Sequence, residues 1–167
     1  MENFIMIDGK KFRLVPEETQ EEPVKNLTGY ERAVPGEKYF FADERSDVNE
    51  YTDNNTTDDT DIYLAGNYYT DKKLAFDNAR ADRLMRRLRR YAAMQGGIVT
   101  KNNPAKNGRK YYIGFNDTHG LMVDWVEKNW SNAGAIYFVD PIAAQHVLEA
   151  FRYELEWYFT KYEPQLI

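Results

Sequence analysis

Cysteine is missing from all 167 residues, and that one absence removes disulfides, thiolate metal ligands and thiol nucleophiles together. It fits a reducing compartment. Histidine is scarce as well: His119 stands in the turn-like NDTHG and His146 beside an apolar helical face, with no neighbouring His or Cys to complete a zinc or iron site. No metal or cofactor is expected, and His146 reads as a partly buried structural residue. The apolar stretch from Phe4 to Ile7 is too short for a signal-peptide core, and no run approaches the roughly 20 apolar residues that cross a bilayer. A cytoplasmic protein without membrane contact is expected. The chain also lacks G-x-S-x-G, S-x-x-K and the phosphate-binding G-x-x-x-x-G-K. Carboxylate pairs such as Glu154/Glu156 and Asp124/Glu127 are too common to mark acid–base chemistry without geometry.

What is present is bulky apolar surface. Hydrophobic residues make up 43% of the chain and aromatic residues 15%, with 13 Tyr against 9 Phe, which excludes disorder throughout. At this length one ordinary core is expected, because two would each be marginal. Charge is segregated: residues 1–71 carry a net −10, residues 72–110 a net +10 and residues 111–167 a net −5. Such a pattern either marks a binding face or brings opposite charges together on folding.

The chain divides into three parts. Residues 1–15 read as a β-hairpin, Phe4–Ile7 and Lys10–Val15, turned at Asp8-Gly9. Residues 16–35, rich in Glu and broken by Pro23 and Gly29, read as a solvated acidic linker. Residues 36–163 form the main α+β domain. Within it, Lys38–Ala42 and Val48–Tyr51 are strands, the stretch from Thr52 to Asp61 is turn-rich, and Ile62–Leu64 and Asn67–Tyr69 continue extended. A helix capped by Thr70 or Asp71 runs to about Gln95, its core face carrying Leu74, Ala81, Leu84, Met85, Leu88, Tyr91 and Ala92. Strands follow at Lys110–Phe115, Leu121–Glu127 and Ala135–Val139. Asp140 and Pro141 then open a second helix to about Tyr162, apolar at Ala144, Val147, Leu148, Phe151, Leu155, Tyr158, Phe159 and Tyr162. The parallel between Tyr68-Tyr69-Thr70-Asp71 and Tyr137-Phe138-Val139-Asp140 suggests two β-β-β-α units sharing one antiparallel sheet, with both helices on one face.

Three segments carry a resemblance: the hairpin IDGKKFRLVPEE, the run GEKYFFADERSDVNE leading to AGNYYTDKKLA, and the pair KYYIGFN and GAIYFVDPIAAQHVLEAF. Together they resemble small uncharacterised proteins of bacteriophages and prophages, over most of the chain from Gly36 to Phe159. The first helix departs from that pattern because arginines crowd it. The resemblance implies a phage or prophage gene in a bacterial host, where small accessory proteins counter host defence, and it implies no fixed reaction.

Two clusters are candidate binding sites. Asp53, Asp58, Asp59 and Asp61 form an acidic loop suited to mimicking nucleic-acid charge for a basic partner. Asp53, Asn55, Thr57 and Asp59 alternate as in a calcium loop, but Asp58 stands where that loop needs glycine and Leu64 where it needs glutamate. Arg80, Arg83, Arg86, Arg87 and Arg90 fall within about 120° of helical arc, and such planar forks suit phosphates or carboxylates. Alternatively they pair with the acidic first third. Of the aromatic pairs Tyr39/Phe40, Tyr111/Tyr112 and Tyr137/Phe138, strand alternation buries one member each and exposes the other. The expected function is a non-enzymatic phage accessory protein that binds a host protein or nucleoprotein, an anti-CRISPR-like inhibitor being one form. A nucleic-acid-binding protein using the arginine helix is one alternative, and an enzyme with an unrecognised carboxylate site another.

Overall fold

The computed structural model describes residues 27–95, 97–131 and 134–162, together with the backbone of two N-terminal strands. Those strands, β1 (Phe4–Ile7) and β2 (Lys10–Arg13), pair antiparallel with Phe4 opposite Arg13, as the hairpin reading requires. The turn residues Asp8 and Gly9, Leu14 and Val15 of the expected second arm, and residues 16–26 of the expected linker lie outside the described residues.

The remainder of that linker is largely exposed but anchored to the fold at two points. Gly29 and Ala33 are buried, and Ala33 belongs to a core cluster with Tyr39 and Tyr68. Gly29 adopts a φ of +85°, and its carbonyl accepts from the backbone N–H of Thr70 at 2.8 Å. The main body therefore starts before Gly36.

Strands β3 (Lys38–Ala42) and β4 (Val48–Thr52) pair antiparallel with Tyr39 opposite Tyr51. Aromatics on both strands favour the extended backbone, and the Asp43 carboxylate closes the turn by accepting from the N–H groups of Arg45 and Asp47, both at 2.9 Å.

The next segment departs from expectation. Thr57–Leu64 forms a helix, α1, so Thr52–Asp61 is not all loop and Ile62–Leu64 is not extended. The cause is a capping box. Thr56 Oγ accepts from the Asp59 N–H at 3.3 Å, and the Asp59 carboxylate accepts from the Thr56 N–H at 2.9 Å. Two otherwise unpaired donors are satisfied reciprocally, which fixes where the helix starts, and the bond from the Tyr39 hydroxyl to Asp59 ties that start to β3.

After α1 the chain returns to β3. Asn67 behaves as a side-chain strand: its amide accepts from Ala42 N–H at 3.0 Å and donates to Ala42 C=O at 2.6 Å. Tyr69 then bridges Phe40 through two backbone hydrogen bonds of 2.8 and 2.9 Å. Asp71 caps α2 (Lys72–Met94), accepting from Leu74 N–H at 2.7 Å. Its buried face comprises Ala75, Ala79, Ala81, Leu84, Leu88 and Ala92.

The second half repeats this plan. Strands β5 (Arg109–Asn116) and β6 (Gly120–Glu127) form a hairpin, Phe138 bridges Tyr111 through bonds of 2.7 and 3.0 Å, and Asp140 caps the next helix through Ala143 N–H at 2.9 Å. Residues 135–139 contribute bridges at Phe138 rather than a third strand. The expected long helix is divided into α3 (Pro141–Ala150) and α4 (Arg152–Thr160) at Phe151, whose φ of −121° and ψ of 16° leave the helical region. Phe151 is buried, its ring edge-on to Tyr91 at 5.5 Å, so the bend seats an aromatic in the core.

The class is α+β, but the shared sheet is not formed. Among the described residues the strands make separate two-stranded antiparallel sheets. The larger core lies where Leu84, Leu88 and Ala92 of α2 meet Phe138, Ala144, Val147, Phe151 and Leu155. Within the aromatic pairs, Tyr39 and Phe138 are buried with half-buried partners, whereas Tyr111 and Tyr112 are both half-buried. No helix among the described residues is long and apolar enough to cross a membrane.

Gly29 and Gly36 provide a test of the revised boundary. Both have positive φ, but a Cβ at Gly29 would lie 2.9 Å from Leu74 Cδ2 and 3.0 Å from Asp71 Cβ, while one at Gly36 meets nothing within 4 Å. Gly36→Ala should cost about 1 kcal/mol in urea unfolding from backbone conformation alone. Gly29→Ala should cost more, about 2 kcal/mol or above; equal losses would show that residues 27–35 are not packed on α2.

Candidate functional site: the arginine face of the long helix

The two sequence-derived clusters meet different fates. In the acidic one, Asp53 and Asp59 are buried at 0% and 5% exposure, while Asp58 and Asp61 are exposed on α1. The four do not form one outward-facing acidic surface, because two of the carboxylates are internal hydrogen-bond acceptors. Asp53 accepts from Arg32 Nε at 3.0 Å, the Tyr68 hydroxyl at 2.8 Å and Asn55 N–H at 2.7 Å. Asp59 accepts from the Tyr39 hydroxyl at 2.9 Å, Thr56 Oγ at 2.7 Å and Asn54 N–H at 3.0 Å. The Tyr39 and Tyr68 rings stack at 4.1 Å and 10°, joining the two carboxylates into one network.

The electrostatics follow from this geometry. Arg32 above all holds the Asp53 carboxyl below its usual range, opposing the cost of burial. Backbone and side-chain donation from Thr56 lowers Asp59 to about 2. Burial, then the bond to Asp53, raises Tyr68 to about 12. Shifted groups cluster at active sites and in structural networks alike. Here each carboxylate is saturated with internal donors, so the cluster fastens the fold.

The arginine cluster is largely exposed and lines a groove. A concave region of about 780 Å³ lies between α2, α4 and the β3–β4 turn, with Arg80, Arg83 and Arg87 along one wall. Their heads are held in place. Arg80 stacks over Trp157 at 3.8 Å, and Arg83 donates to the carbonyls of Arg45 and Ser46 at 2.8 and 3.0 Å and to Asp47 at 3.1 Å. Arg87 donates to Glu154 at 2.8 Å and lies over the Phe151 ring at 5.2 Å. Arg86 donates to Ser46 Oγ on the groove's flank. Arg90 is exposed one turn further on, with no hydrogen bond or ion pair among the described residues.

The expected pairing of arginines with the acidic first third thus holds for Arg83, while Arg87 turns to Glu154 and Arg80 to an indole. Arginine suits these contacts because its planar fork binds carboxylates and its face stacks on rings.

Two aromatics complete the groove and were not among the sequence-derived candidates. Phe76 on α2 is 50% exposed, and Tyr153 on α4 is 76% exposed. Both interrupt an otherwise polar helical face, a signal visible as an off-pattern aromatic but without meaning until the helices are placed side by side.

The remaining candidates are scattered. His119 lies in the exposed β5–β6 turn near Asn116, and His146 is exposed on α3 rather than partly buried. Asp124 accepts from the Tyr112 hydroxyl at 3.3 Å. No group of three or more His, Asp or Glu that would hold a metal occurs among the described residues. Against protein-family models, curated proteins and solved structures, the chain finds no match.

The buried carboxylates predict acid sensitivity. Asp59 falls from an ordinary 3.8 to about 2 on folding, so its contribution is fully present above about pH 4 and lost as pH falls toward 2. Asp53 acts in the same direction. Urea midpoints measured between pH 5 and about 2 should drop steeply in the wild type and less steeply in Asp59→Asn. Parallel curves would show that Asp59 is not specifically stabilised as the anion.

The arginine geometry predicts that Arg83→Gln costs about 1 kcal/mol through its contacts to the β3–β4 turn, whereas Arg90→Gln stays within about 0.5 kcal/mol. A thermal or urea titration of both variants checks this; a reversed order would contradict the assigned contacts.

Proposed function

We propose that this chain is a non-enzymatic binding protein that engages another protein through the groove between α2, α4 and the β3–β4 turn. The observation that carries the reading is the pairing of two exposed aromatics, Phe76 and Tyr153, with three arginines whose heads are already oriented. Aromatic and arginine side chains dominate binding energy at protein interfaces, and pre-positioned ones lose less entropy on association. Asp47 and Glu154 each meet one nitrogen of the fork, leaving further donors on both guanidinium groups.

The chemistry that fits is a partner segment with an apolar side chain to lie between Phe76 and Tyr153 and carboxylates to meet the spare guanidinium donors. The resemblance to phage accessory proteins supports a host protein as partner, interference with a defence system being the form it would take. Two of the four acidic-loop residues are internal, so charge mimicry by that loop has lost much of its basis.

Nucleic-acid binding through α2 keeps one supporting observation: Arg89 and Arg90 are exposed, with no hydrogen bond or ion pair among the described residues. It is weakened because Arg83 and Arg87 are already engaged by Asp47 and Glu154, which interrupts the row of free forks that a phosphate backbone would meet.

The test is affinity capture from a bacterial host extract treated with nuclease, comparing the wild type with Phe76→Ala/Tyr153→Ala and with His119→Ala/His146→Ala. Both pairs are exposed, so their stability should change little. The binding reading expects a nuclease-resistant partner lost at least tenfold in the aromatic pair and retained in the histidine pair, with binding weakening as salt rises. Retention by the aromatic pair would sink the groove assignment. Nuclease-sensitive capture together with a band shift at low salt would instead favour nucleic acid.

A further inference from the structure

On the side of α2 facing away from the groove, the helix and the β5–β6 hairpin stand apart. The space between them is a cavity of about 610 Å³, within the range of small-molecule sites. Its inner wall is apolar, formed by the half-buried side chains of Met85, Ile113, Ile136 and Phe159, which pack on the main core. Its rim is polar and carries Asp82, Arg86 and Arg89 from successive turns of α2.

The rim groups are not equivalent. The Arg86 head is occupied by Ser46 Oγ. Arg89 is exposed and has no hydrogen bond or ion pair among the described residues, so its five donors are available at the mouth. Two guanidinium groups against one carboxylate leave the rim cationic. A cation entering here would be repelled by Arg89, and a wholly polar solute would leave the apolar wall unsatisfied.

We propose that this cavity binds a small anionic amphiphile, with an aromatic or aliphatic body against Met85, Ile113, Ile136 and Phe159 and a single carboxylate, sulfonate or phosphate at Arg89. The cavity shares no lining residue with the protein-binding groove, and Arg86 at its rim donates to Ser46 of the groove. The site gives the chain a ligand-binding capacity independent of its macromolecular partner.

Two dyes sharing a ring system separate the apolar and anionic contributions. Anilinonaphthalene sulfonate carries the anion, and N-phenylnaphthylamine does not. The native protein, shown by a cooperative urea transition to be folded, should bind the sulfonate dye saturably with one-to-one stoichiometry, and decanoate should displace it. Arg89→Gln should weaken the sulfonate dye about tenfold and leave the neutral dye unchanged, since one charge-assisted contact is removed. Ala135→Trp, at an exposed rim position, should exclude both dyes, and Met85→Trp provides a second filling variant should the first fail to fold. Absence of saturable binding, sulfonate affinity indifferent to Arg89, or dye binding that survives a folded filling variant would each overturn the assignment.

Discussion

Asp53 is sealed from water, and the N-terminal half of the fold is arranged around that constraint. A buried carboxylate must recover in hydrogen bonds and charge pairing what it loses in hydration. Its donors come from separate pieces of chain: Arg32 from the segment before β3, Asn55 from the approach to α1, and Tyr68 from the approach to α2. Its own backbone is tied as well, donating to Glu37 C=O at 2.9 Å and accepting from Gly36 N–H at 2.7 Å. Tyr68 passes the constraint on by stacking on Tyr39, whose hydroxyl meets Asp59, and Asp59 completes the cap of α1. Loosening any member leaves a buried polar group without a partner, which is why this network, though rich in titratable groups, is structural.

The long helix α2 connects this network to the rest of the molecule. Its buried alanines and leucines join the larger core, its arginine face reaches across to the β3–β4 turn and α4, and its far side faces the cavity. Most of the arginines act as fasteners whose spare donors remain available. This explains the unusual density of arginine better than solvation does. Lysine would supply the charge and donors enough for the acceptors around Arg83, but not the planar stacking on Trp157.

Where local chemistry dominates, the chain was legible. The hairpins, the Asp71 and Asp140 caps, the extent of α2 and its core face all follow from alternation, 3.6-residue periodicity and capping residues. The parallel between the two aromatic steps is visible too, but they supply isolated bridges rather than the third strand of a β-β-β-α unit. Errors arose where one local signal masked another. The polar stretch TDNNTTDDTD reads as loop by composition, yet Thr56 and Asp59 sit at capping-box spacing. The apolar face continuing through Phe151 reads as one helix, but periodicity does not register a bend that preserves the face.

By itself the sequence determined the α+β class, the separation of charge along the chain, the starts of α2 and α3 and the arginine stripe, because each depends on residues within a few positions of one another. The tertiary structure alone decided which charges are internal. Asp53 and Asp58 are alike in composition and context, but one is met by Arg32, 21 residues upstream, and the other faces solvent. It also decided that Phe76 and Tyr153 flank one groove and that α2 stands off from the β5–β6 hairpin to leave a cavity. Burial and apposition depend on contacts between distant segments, and no local pattern encodes them.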